Sequence, residues 1–142
     1  MQICIVLTLI VTMYVPGAGG INGGLRGGYD RVNEKWIGGV LLNNTHAACG
    51  FSYRFGTTFE VIDDSAKAFL EDDGQPVKRV CFDRGGAVRA ENLDLVSDSI
   101  SLARKWGKRL VPVRICQSQI LTEPDSNTSK YQKRHLASYT PQ

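Results

Sequence analysis

The longest apolar stretch opens the chain: Met1 to Val15 (MQICIVLTLIVTMYV) carries no charge. Its Val, Ile, Thr and Tyr content predicts a buried β-strand from Ile5 to Tyr14. The stretch also fits the hydrophobic part of an export signal, with Gly17-Ala18-Gly19 as a small-residue cleavage site, although the basic residues that usually come first are missing. Coiled into a helix, about 15 residues would reach about 22 Å, short of the roughly 30 Å of a hydrocarbon core. Strand and export segment both stand at this point.

From Pro16 to Gly39 no period survives. Nine of the 15 glycines lie between Gly17 and Gly39, which predicts a long connection without regular elements, either a flap over a groove or a slack linker. Val40 to Val61 reads as short strands, with Phe51, Tyr53 and Phe55 alternating against Ser52 and Arg54. Asp63 to Gly74 is an acidic surface excursion with a short helix around Ala66 to Leu70, and it lacks the ligand order of a calcium loop.

Val77 to Phe82 predicts a strand running into a glycine turn at Asp83 to Val88. Ser97 or Asp98 then caps a helix that carries Ile100, Ala103 and Trp106 on one face and ends at Gly107. Leu110 to Ile115 predicts a last strand with Val111, Val113 and Ile115 on one side. From Gln117 to Gln142 the chain is polar and aperiodic, the pattern of a disordered tail.

Composition adds limits. The 142 residues, 42% of them hydrophobic, suffice for one core, and a net charge of +3 is too small to make nucleic acid the expected partner. The four cysteines are spaced without a CxxC, and neither His46 nor His135 stands at ligand spacing, so no metal or other cofactor is expected. Cys49 and Cys81, inside the folded part, are the favoured disulfide pair. Cys4 and Cys116 can bridge only if Cys4 is retained and the terminal strands are neighbours; unpaired cysteines in a reducing compartment are the alternative.

The densest chemistry is the run Asp83 to Asp94 (DRGGAVRAENLD). It holds two carboxylates at strand ends and a Gly85-Gly86 turn that lets backbone approach a ligand. A carboxyl desolvated in a groove would serve as a general acid near neutral pH. The plainer reading is that Asp83 and Asp94 each cap a local turn.

The order and spacing of Ala47-Ala48-Cys49-Gly50, Arg54-Phe55-Gly56-Thr57, Asp83-Arg84-Gly85-Gly86-Ala87-Val88-Arg89-Ala90, Leu93-Asp94-Leu95 and Trp106-Gly107-Lys108-Arg109 resemble the three-aspartate (3D) domain. That domain is shared with the membrane-bound lytic murein transglycosylase A family and is related to rare-lipoprotein-A-like and expansin barrels. Val11-Thr12-Met13-Tyr14 with Pro16 is similar to its first strand. The resemblance implies a mainly β fold, a six-stranded double-psi β-barrel with one or two short helices. It would span residues 11–116 with the glycine-rich loop at 17–39, between a hydrophobic segment 1–10 (candidate export signal or anchor) and the tail 117–142.

It further implies cleavage of peptidoglycan, with Asp94 as acid/base and Asp83 as the supporting carboxylate, and substrate contacts from Tyr14, Arg84, Gly85 and Gly86. The partner would be peptidoglycan or another cell-wall polysaccharide, met outside the cell or in its envelope by a monomer, with the membrane touched only through the N-terminal segment. The pattern departs at Cys49, which stands where the family has the first of its three aspartates. The Cys49–Cys81 pair then reads as a covalent substitute for a polar contact. Two rival readings are a non-catalytic carbohydrate-binding module, gripping sugar with Tyr14, Trp36 and Tyr53, and a structural interaction module of a phage or cell surface.

Overall fold

A computed structural model describes residues 2–20, 23–30, 33–36, 39–66 and 77–118. Strands β1 (Gln2–Tyr14), β4 (His46–Cys49), β5 (Thr58–Val61), β6 (Val77–Asp83), β7 (Asn92–Val96) and β8 (Arg109–Ser118) close into a barrel in the order β1-β7-β4-β6-β5-β8. A two-stranded ribbon, β2 (Tyr29–Asp30) and β3 (Lys35–Trp36), and the helix α1 (Ile100–Trp106) accompany it, and Asp64, Ser65 and Ala66 are helical as well. The fold is therefore mainly β, a closed six-stranded mixed barrel, as expected. The β1–β7 and β4–β6 pairs are parallel and the other four pairs antiparallel. A parallel pair cannot be closed by a tight turn, so long connections must travel outside the wall.

Two-residue alternation sorts each strand between the barrel interior and its outside. Leu9, Val11, Ala47, Cys49, Phe59, Val61, Val77, Cys81, Leu93, Leu95, Val111, Val113 and Ile115 point inward and form one buried core. Trp106 closes one end of it, 2% exposed, with its indole N–H donating to the Val11 carbonyl at 2.9 Å. Helix α1 is capped by Ser99 and not by the expected Ser97 or Asp98; the Ser97 hydroxyl is engaged with the Ser99 backbone instead. Gly107 ends it, at φ 66.

The hydrophobic N-terminal segment is a strand paired with β8. From Gln2 it is continuous with β1, and its whole length to Val11 pairs with β8. The terminal strands are thus neighbours, and Cys4 lies opposite Cys116 and is bonded to it. Cys49 and Cys81 form the second disulfide, joining β4 to β6 inside the barrel. The strand at the C-terminal end runs to Ser118, past the expected start of the tail; 119–142 lies outside the described residues, as does most of the helix expected at Ala66 to Leu70.

Two expectations are corrected. Phe51 to Phe55 is not a strand: a Cβ on Gly50 would meet the backbone of Arg89 and Ala90, so the chain turns there. The Tyr53 hydroxyl donates to the Ala90 carbonyl. The glycine-rich connection is not without regular elements either, since backbone bonds from Gly27 to Gly39 and from Leu41 to Leu25, with the β2–β3 ribbon at the tip, make it a long hairpin.

Trp106→Phe removes one buried hydrogen bond while keeping most of the apolar volume, and should destabilise the fold by about 1 kcal/mol; Trp106→Ala should cost about 3–5 kcal/mol. Urea unfolding of the three proteins measures both. Replacing Cys49 and Cys81 together by Ala should cost about 3–4 kcal/mol on the chain-entropy account of a loop of this length, read in the same assay.

Candidate active site

The site lies on the outside of the barrel wall. Register places Thr12 of β1 beside Asp94 of β7, Asp94 beside Ala48 of β4, and Ala48 beside Asp83 of β6, so four strands contribute one row. Asp94 faces outward by ordinary alternation between Leu93 and Leu95. Asp83 does not: two residues after the inward Cys81, it would enter the core in a regular strand. A β-bulge turns it, because Ala47 pairs with Cys81 while Ala48 pairs with Asp83, leaving Phe82 as the extra residue. Both carboxylates then stand on one face, two strand spacings or roughly 10 Å apart at the backbone, with Ala48 between them in the register.

The hydrogen bonds differentiate them. Asp83 accepts from the Tyr14 hydroxyl at 2.7 Å and from the backbone N–H groups of Arg84 and Gly28. Burial pushes the Asp83 carboxyl up, against the pull of these donors and of the Arg84 charge. Asp94 accepts from the Thr12 hydroxyl at 2.9 Å. Burial first, then the charge of Asp83, carries it up to about 6 against that single bond. Tyr14 is held far above the usual phenol range by burial and by the two aspartates, so it acts as a donor and stays neutral. The arrangement is a carboxylate held by three donors beside a carboxyl that keeps its proton to nearly neutral pH.

The hairpin covers this face. A Cβ on Gly27 would run into the Phe82 carbonyl and Leu41, so only glycine allows the approach that brings the Gly28 N–H onto Asp83. Gly28 itself has φ 69. Leu41, Tyr14, Ala48 and Val96, with Phe82 and Val88 against them, form a small second core between wall and hairpin. Of the two readings of the glycine run, the geometry is that of a flap.

Other expected contacts fall elsewhere. The Arg84 guanidinium donates to the carbonyls of Cys49, Gly50 and Tyr53, at 3.3, 2.8 and 2.7 Å, and stacks on Phe55 at 4.3 Å. It therefore braces the 49–53 turn. Gly85 turns back to Val88 through its carbonyl, and Gly86 is exposed with open space beside it. Tyr53 is buried in the barrel core, edge-on to Phe59, so its ring offers no face to a sugar. Thr12, Gly28 and Ala48 are not among the expected site residues. Thr12 had a signal, since it shares a strand face with Tyr14; Gly28 and Ala48 had none without the register.

No family model, curated protein or solved structure matches the chain.

The sign of the pH effect follows from Asp94. Its folded value, about 6, lies above the unfolded 3.8, so its contribution is fully present below the unfolded value and is lost as pH rises through about 6. Asp94→Asn should therefore stabilise the fold by about 3 kcal/mol at pH about 8 and hardly at all at pH about 3.5. Denaturant unfolding at the two pH values checks this; an equal effect at both would contradict the protonated Asp94.

Proposed function

We propose that the protein cleaves the glycan strand of peptidoglycan in the manner of a lytic transglycosylase, with Asp94 as its acid/base. The observation that carries this reading is the pairing of a carboxyl raised to about 6 with a second carboxylate held by three donors on the same face. Asp94 gives its proton to the glycosidic oxygen as the bond from the muramoyl C1 breaks. As carboxylate it then takes the proton of the muramoyl 6-hydroxyl, whose oxygen closes on C1 to form the anhydro ring. Proton and leaving group balance, and one group serves both steps. Asp83 supplies negative charge that favours protonation of Asp94 and opposes the charge deficit at C1. Thr12 holds one oxygen of Asp94 and leaves the other to the substrate.

A carbohydrate-binding module without catalysis is less well supported, because two of the three aromatics it would use, Tyr14 and Tyr53, are buried; the Trp36 side chain lies outside the described residues. The two disulfides suit an oxidising compartment such as the cell envelope or its exterior.

Incubation with purified murein, followed by mass spectrometry of the soluble products, tests the reading. Anhydromuropeptides are expected, and Asp94→Asn should lower their release by about 10²-fold or more. The rate should fall about tenfold per pH unit above 6, as the protonated fraction of Asp94 does. Asp83→Asn should shift that fall to lower pH, since the neighbouring charge is gone. Undigested murein at every pH overturns the proposal.

A further inference from the structure

Beyond the barrel mouth, β1 continues as an outlying strand. Residues Gln2 to Thr8 are all exposed, among them Ile3, Ile5, Val6 and Leu7 at 50, 49, 52 and 43%. One edge is paired with β8 throughout, whereas β7 takes up the other edge only from Ile10. The Ile10 N–H donates to the Glu91 carbonyl on that second side. Strand alternation then turns the N–H and C=O groups of Gln2, Cys4, Val6 and Thr8 to the same side. Among the described residues no strand pairs with them.

Native sheets protect such an edge with charge, proline or a bulge. Here Gln2 to Thr8 contains none of these. We infer that this edge is the interface of a two-fold dimer, in which β1 of one copy pairs antiparallel with β1 of a second. Antiparallel pairing of a strand with itself is self-complementary, so one patch serves both copies and the assembly closes.

The register selects itself. A two-fold axis at Ile5 pairs Cys4 with Val6 and Gln2 with Thr8 of the other copy, which lets all the outward N–H and C=O groups bond. On one face it sets Ile5 against Ile5 and Ile3 against Leu7, burying those three exposed residues in one ladder.

Charge does not oppose it. The edge is uncharged, and the nearest cation on the other face, Arg114 opposite Val6, is paired with Glu60 at 3.3 Å. An uncharged edge therefore favours a second copy of itself over a charged partner. The interface is small, so a Kd in about the micromolar range is expected. The inference rests on the fold and not on the catalytic reading, and it is an alternative to the monomer expected above.

Sedimentation velocity of the full chain from roughly 1 μM to 1 mM should show the mass rising from one chain to two. Hydrogen exchange at the same concentrations should show the Cys4 and Val6 amides slowing as the dimer forms. Ile5→Lys, at an exposed position, places like charges across the axis and should weaken the dimer by about tenfold or more. Val6→Pro removes one outward N–H and leaves the β8 bonds in place, and should act the same way. A single-chain mass at every concentration overturns the dimer. So does a Val6 amide protected equally at all concentrations, which would mean that the chain covers its own edge. A dimer indifferent to Ile5→Lys overturns this interface, and so does an intact mass showing that the secreted chain begins after Thr8.

Discussion

One extra residue in β6 decides what the carboxylates can do. In a regular strand the inward series Val77, Arg79, Cys81 would continue to Asp83 and carry its carboxylate into an apolar core, where burial without partners costs several kcal/mol. The bulge at Phe82 moves Asp83 to the outer face, beside Ala48 and within reach of Tyr14. Everything that makes the site unusual depends on that half-turn of the chain: the shared face, the charge acting on Asp94, and the donors gathered on Asp83.

The bulge is itself braced from both sides. Within the barrel, Cys81 is tied to Cys49, and from the outer turn Arg84 grips the carbonyls of Cys49, Gly50 and Tyr53. Both anchors, Cys81 and Arg84, lie within two residues of Asp83 in sequence. Cys49 thus contributes to positioning by covalent means. The hairpin closes the arrangement from above, and its closest approach is at Gly27 and Gly28, where backbone meets backbone. The glycine cluster and the acidic pair are two halves of one structure.

Local patterning made much of this legible. Val111, Val113 and Ile115 announced β8, Gly107 the end of α1, and Val77 to Phe82 most of β6, because each of these signals depends on a few neighbouring residues and their faces. The cysteines were half legible: small apolar surroundings pointed to Cys49 and Cys81, but the Cys4–Cys116 bond required β1 and β8 to be neighbours, 112 residues apart in sequence. The alternation at Phe51, Tyr53 and Phe55 misled, since period two is the mark of a strand only where a partner strand is present. Here the partner is the Arg84 guanidinium, which collects the carbonyls that a ladder would have used.

By itself the sequence determined the chemistry on offer: which residues can hold charge, which positions alternate, where glycine permits close approach, and that one core could form. Only the tertiary structure decided which carboxylate keeps its proton. Desolvation and the field of a second charge depend on distance and cover, and those come from register across four strands, a bulge and a hairpin folded back over the wall. The register and the bulge leave no local signature, because each is a relation between residues far apart in the chain; of the hairpin, only the glycine run shows in the sequence.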